Sequence, residues 1–224
     1  EFAKNIVRMK AKVGNVEVPV EQTSKNTWMV YSEGQPFSLE YEVYAWDLSV
    51  RMAHLDQTHG YCNGTSVFLE VRGQSDVVHR VLLQPPSDPL CVDWKVATTL
   101  QNSGELGEFG WFEASDYDDL IDHPIEMGTF ENLTFEACGV RHEVAVTGDV
   151  RFDKERLLED LQRICETEIR FFGEPAPMYR YLFQVMTVDA GYGGLEHRAS
   201  TSLVCTKKSL PWGEKRSDAY IQFL

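Results

Sequence analysis

The chain has 224 residues and a formal net charge of −14 from 35 acidic and 21 basic side chains, so it repels phosphate backbones and anionic lipid surfaces. With no basic stripe to offset that charge, nucleic acid and membrane are excluded as partners. Hydrophobic residues at 43% and aromatics at 12% supply the core of one large or two smaller domains, and no apolar run approaches the roughly 20 residues of a membrane span.

The N-terminal "EFAKNIVRMK" has no apolar signal core and no initiator Met, which predicts a chain that begins inside a longer protein. From there the first two-thirds is strand-like. "NVEVPVEQ", "TWMVYS", "FSLEYEVYAW", "SVFLEVRG", "HRVLLQPP", "DWKVATTL" and "HEVAVTGD" alternate apolar with polar residues, and Gly, Pro, Asn or Asp fall between most of them. Such spacing predicts an antiparallel β-sandwich. "EASDYDDLIDHPIEMG" interrupts it with a short helical turn capped by Ser115 and ended by Pro124 and Gly128.

Near Gly148 the period changes. Leu157, Leu158, Leu161, Ile164, Cys165 and Ile169 follow helical spacing, with Asp153 as N-cap and Gly173-Glu174-Pro175 as the stop. "YRYLFQVMTV" then reads as a strand, "DAG" breaks it, and "EHRASTSLVC" resumes alternation. "RSDAYIQFL" reads as a helix start capped by Ser217 or Asp218, whose Tyr220, Ile221 and Phe223 are expected to lie uncovered. The fold class expected is mainly β with an α+β part. Residues 1–148 form the N-terminal sandwich, and 149–224 the first portion of an α+β domain.

Several groups are candidates for chemistry. The five cysteines, Cys62, Cys91, Cys138, Cys165 and Cys205, are scattered, odd in number and without a C-x-x-C pair, which predicts a reducing cytoplasm. The sequons at Asn63 and Asn132 would matter only in a secreted protein. His54, Asp56 and His59 offer three potential metal ligands within six residues, against a reading as polar residues in a connection between strands. The acidic run Asp116, Asp118, Asp119 and Asp122 lacks the Gly and terminal Glu of a calcium loop and reads as a solvated helix face with capping carboxylates. In "GYGGLEHRAS" three glycines and Glu196 precede a strand. Bare backbone lets a ligand approach and a sheet edge can pair with an extended peptide, whose free ammonium Glu196 would meet; a tight hairpin with an exposed glutamate is the alternative.

"DAGYGGLEHRAS" resembles the Gly-x-x-Glu segment of gluzincin aminopeptidases, and more closely that of the glycyl aminopeptidase family of zinc metallopeptidases, relatives of aminopeptidase N that often carry a PDZ domain. "EFAKNIV", "YEVYAWDLSVRMAHLDQTHGYCNGTSVFLEV", "DWKVATTL", "FEASDYDDLIDHPIEMG" and "LPWGEKRSDAYIQFL" extend the resemblance over essentially the whole chain. The resemblance implies a β-sandwich followed by a thermolysin-like catalytic domain that hydrolyses peptides from the N-terminus, small residues such as Gly and Ala preferred. It also implies a zinc held by His-Glu-x-x-His and a downstream glutamate. His54, His59, His79, His123, His142 and His197 include no pair with that spacing, so no catalytic residue and no metal ligand are assigned here. The resemblance therefore implies a fragment, inactive and without zinc on its own. Its partners are a peptide with a free N-terminus and the remainder of the catalytic domain.

By the same resemblance Glu196 receives the substrate's amino group, while Gly193, Gly194 and Leu195 form the strand edge along the peptide. Asn63, Gly64 and Thr65 match a sandwich loop that reaches over the site, with an Asn-Gly turn between strands as the other reading. His197 stands where aminopeptidase N has an asparagine. The rival to the peptidase reading is a stand-alone β-sandwich binding module.

Overall fold

The computed structural model describes residues 2–102, 107–213 and 217–224. In chain order the strands of the N-terminal part are β1 (Ile6–Val13), β2 (Val16–Val18), β3 (Val20–Ser24), β4 (Thr27–Val30), β5 (Ser38–Val43), β6 (Ala53–Leu55), β7 (His59–Cys62), β8 (His79–Leu83), β9 (Lys95–Ala97), β10 (Gln101–Asn102) and β11 (Gly110–Ala114). Helix α1 (Tyr117–Ile121) follows, then β12 (Ile125–Gly128). They build small antiparallel sheets ordered β2-β1-β5, β10-β11-β8 and β6-β7-β12-β9, with β3-β4 as a hairpin. Val81, Leu83, Phe112 and Ala114 of one sheet meet Val96 and Ile125 of another around Leu100 and Leu120, which is the sandwich core. The mainly β fold is thus as expected.

Local departures have physical causes. Pro19 lacks the N–H a ladder needs, so "NVEVPVEQ" is two strands, with the Pro19 carbonyl accepting from Tyr31 N at 3.1 Å. "SVFLEVRG" is not a strand. A helical turn over Gly64–Ser66 leads into irregular backbone whose Val67 and Phe68 carbonyls accept the hydroxyls of Tyr41 (2.7 Å) and Tyr117 (3.0 Å) in place of ladder bonds. The cap of α1 is Asp116, one residue past Ser115: its carboxylate accepts Asp119 N at 2.7 Å, while the Ser115 hydroxyl donates to Asp116 and Asp119.

A five-stranded sheet, β13 (Glu131–Ala137), β14 (Val140–Thr147), β15 (Arg180–Val188), β17 (Ser200–Thr206) and β16 (Gly193–Glu196) in spatial order, forms the rest. β14, β15 and β17 run parallel, with antiparallel β13 and β16 at the edges. β13 and β14 precede residue 148 yet belong to this sheet, so it continues across the division at 148/149 that the change of period suggests.

Helix α2 (Lys154–Phe172) crosses from β14 to β15. Asp153 caps it by accepting Arg156 N at 3.0 Å, and Gly173 ends it at φ 106°, a value that favours glycine. Leu157 and Leu161 of α2 lie on Val144, Val146, Val185 and Cys205, together with Tyr220 of α3 (Asp218–Phe223). Ser217 caps α3. Tyr220 is buried, not uncovered as expected, and donates to Asp160 of α2 at 3.0 Å; only Ile221 is largely exposed. The opposite face of the sheet meets the sandwich through Ala97, Phe130, Ala145 and Leu182, and through Val50, Tyr61, Met186 and Val204. Among the described residues no helix is long and apolar enough to cross a membrane.

Candidate functional site

Among the described residues strand β16 pairs with β17 alone, which leaves its other side a free sheet edge. Its residues alternate. Gly193 and Leu195 face the sandwich, where Leu195 packs beside Val50 and Met186 and a Cβ on Gly193 would stand 3.8 Å from Val50. Gly194 and Glu196 are exposed on the other face, and a Cβ on Gly194 would lie 3.7 Å from Glu196 Oε1. The bare stretch is therefore strand, not the turn before one. The structure brings Gly193, Gly194, Leu195 and Glu196 into one edge with the carboxylate at its end.

The Asn63 loop approaches through α1. A Cβ on Gly64 would stand 2.6 Å from the Ile121 α-carbon, so only glycine lets the loop seat there. Asn63 is buried, donates to Thr65 Oγ1 at 3.0 Å and leaves its Oδ1 buried without a partner. Its burial also removes the Asn63 sequon from consideration. The residue after Ile121, Asp122, accepts the Arg198 backbone N–H at 3.1 Å through Oδ2 and faces His197 Nδ1 at 3.4 Å through Oδ1. A carboxylate only accepts, so His197 carries its proton on Nδ1 and its buried Nε2 has no partner. Burial depresses the His197 pKa more than Asp122 restores it, which favours the neutral ring. Loop, helix end and edge strand thus form one contiguous path, joined by Asp122, whose place in an acidic run predicts a solvated helix face instead.

The His54, Asp56, His59 constellation is dispersed into structural roles. Asp56 accepts Thr58 N (2.6 Å), Thr58 Oγ1 (2.6 Å), His59 N (3.1 Å) and His54 Nε2 (3.1 Å). Burial disfavours its charge, but those bonds outweigh it and hold the carboxyl well below the usual range. His59 turns to Glu126, 3.0 Å away and fully buried, whose Oε1 also accepts Thr147 Oγ1 at 2.7 Å. Glu126 is a site the alternation of "PIEMG" hides, because it occupies a core position of β12.

Burial opposes the charged His59 ring, yet the Glu126 hydrogen bond and charge prevail and raise its pKa; burial likewise raises Glu126. Both shifts have the same sign: the folded pair holds protons more tightly than the unfolded chain, whose histidine titrates near about 6.5. The stabilisation is therefore complete at acidic pH and lost as pH rises through the raised pKa values. Chemical denaturation at pH 6 and pH 9 is expected to show lower stability at pH 9, with a smaller difference in Glu126→Gln. An equal difference in both proteins would contradict this.

Among the described residues no group of three or more His, Cys, Asp or Glu side chains is arranged to hold a metal ion. A zinc centre of the peptidase kind does not fit the residues present, and no chemical step is derived through one.

Residues 1–129 match the family model of the peptidase M61 N-terminal domain. The chain is also similar to the crystal structure of an aminopeptidase N family protein from Idiomarina loihiensis, at 42% identity and a TM-score of 0.95, covering 100% of this chain and 38% of that one. It therefore spans well under half the length of that protein. No curated protein matches it.

Proposed function

The chain belongs to the M61 peptidase family, and on that premise we propose that it supplies the sandwich and the substrate-anchoring strand of a zinc-dependent aminopeptidase of the glycyl aminopeptidase, gluzincin type. The observation that carries the reading is β16: a free sheet edge of two glycines and a leucine that ends on an exposed carboxylate. A substrate's extended backbone adds to this edge by main-chain hydrogen bonds. Glu196 then receives the α-ammonium, the charge that distinguishes a peptide's end from its interior. Anchoring that end fixes which bond lies at the reacting centre, and the preference for small residues such as Gly or Ala follows from the family resemblance. In this reading Asn63, Gly64 and Thr65 lie on the sandwich side and are linked to the edge through Ile121 and Asp122. The zinc and the groups that activate water belong to the remainder of a thermolysin-like domain, and this chain alone is without hydrolytic activity.

In this reading the sandwich ends ahead of β13, because the family match stops at residue 129 and β13 already hydrogen-bonds into the five-stranded sheet. Five free cysteines support a reducing, cytoplasmic setting. The full-length protein, incubated with a mixed set of short peptides and followed by mass spectrometry, is expected to release residues one at a time from free N-termini and to act on N-acetylated copies far more slowly. Cleavage at internal bonds of acetylated peptides would refute the aminopeptidase reading.

A further inference from the structure

The edge that carries Glu196 is weakly held by itself. β16 has four residues and one neighbouring strand, and Gly193 and Gly194 contribute no side chains to packing. Immediately beyond Glu196 the chain turns, with His197 N donating to Ser200 O at 2.8 Å. Among the described residues, the carboxylate that grips this turn comes from the sandwich. Asp122 Oδ2 accepts Arg198 N at 3.1 Å and stands 3.9 Å from Arg198 Nε, while Oδ1 faces His197 Nδ1 at 3.4 Å. Asp122 is placed in turn by α1: Asp116 caps that helix, Asp122 N donates to Asp119 O at 3.2 Å, and Ile121 sits against Gly64.

We propose that Asp122 is a positioning residue for Glu196, so that the sandwich sets where the substrate's ammonium is read and the docking of the two parts becomes a determinant of amine selectivity. The proposal rests on the amine-anchoring reading of Glu196. Asp122 touches no substrate; it acts by fixing the backbone at His197 and Arg198, one and two residues past the carboxylate. A displacement of about 1 Å at a charged anchor weakens recognition by one to two orders of magnitude, which makes the clamp consequential even though it touches no substrate.

The test uses the full-length protein and a pair of competitive inhibitors, a dipeptide analogue with a free amine and the same molecule lacking the amino group. Glu196→Gln and Asp122→Ala are each expected to lower the preference for the free amine, the latter by about tenfold. The double variant is expected to lose no more than Glu196→Gln alone, because Asp122 acts through Glu196. Asp122→Asn, which keeps an oxygen for Arg198 N–H, is expected to recover most of the preference. If Asp122→Ala fails to fold, Asp122→Glu carries the carboxylate one methylene further out and is expected to lower the preference by about threefold. Equal weakening of both inhibitors by the Asp122 variants, or additive losses in the double variant, overturns the positioning role. An unchanged preference in Glu196→Gln overturns the anchoring reading instead, so the two failures are distinct.

Discussion

In the full-length protein, Glu196→Gln is expected to weaken transition-state binding of free-amine peptides by roughly 2 to 4 kcal/mol, about 30- to 1,000-fold in kcat/KM. The substitution preserves shape and one acceptor oxygen but removes the charge that faces an ammonium desolvated between peptide and strand. Glu196 is exposed in the chain itself and forms no part of the packed core, so fold stability should change by no more than about 0.5 kcal/mol. The loss falls on substrates with a free amine. A peptide whose amine is acetylated never made the contact and should be hydrolysed, however slowly, at the same rate by both proteins. The decisive quantity is the ratio of specificity constants for free and acetylated versions of one peptide, compared between wild type and variant. An equal fall on both substrates would return Glu196 to the role of an exposed glutamate on a sheet edge.

Gln184→Leu is expected to be the most damaging single change where the sandwich meets the sheet. Gln184 lies in β15 with no exposed surface, donates through Nε2 to Ala97 O (2.8 Å) and Pro124 O (3.1 Å), and accepts Ser202 Oγ at 2.9 Å through Oε1. Leucine fills a similar volume but satisfies none of these groups. Each orphaned buried partner costs about 1 to 3 kcal/mol, and with partial relaxation the total is about 3 to 5 kcal/mol. Urea denaturation should show a lower midpoint. The slope should be unchanged if the protein still unfolds as one unit, and a second transition would report that the sandwich and the sheet have come apart. A loss below about 1 kcal/mol would mean that the two carbonyls find other donors.

Much of the fold is legible in the sequence because its cause is local. The amphipathic spacing of Leu157 and Leu161, the cap at Asp153 and the stop at Gly173 specify α2 by themselves, since a helix satisfies its own backbone within the segment. Alternation likewise marks β5, β8, β14 and β17, and β-rich composition marks β15. Strand β1 is quieter. Its "IVRMKAKV" interleaves charges with half-buried apolar residues, so its period is masked until Met9 and Ala11 pair with Tyr41 and Leu39 of β5.

The reverse error, reading "SVFLEVRG" as a strand, arises because apolar side chains can anchor an irregular segment as well as a strand. What separates the two is where the backbone hydrogen bonds go, and Tyr41 and Tyr117 take them from far along the chain. Burial of Tyr220 was hidden for a similar reason: its partner Asp160 lies 60 residues away on another helix.

For the candidate site, the sequence by itself singled out Gly193 to Glu196, because glycine beside a carboxylate is a local pattern, and the loop at Asn63 to Thr65 through the family resemblance alone. Only the tertiary structure decided which acids have work to do. Asp122 and His197 are 75 residues apart, Glu126 and His59 are 67, and Gln184 and Ala97 are 87. Nothing in the spacing of an acidic run tells a clamp from a solvated helix face. Periodicity fixes which face a side chain takes, whereas the partner of a buried polar group is set by the register and docking of elements distant in sequence, whose contacts must satisfy it on burial.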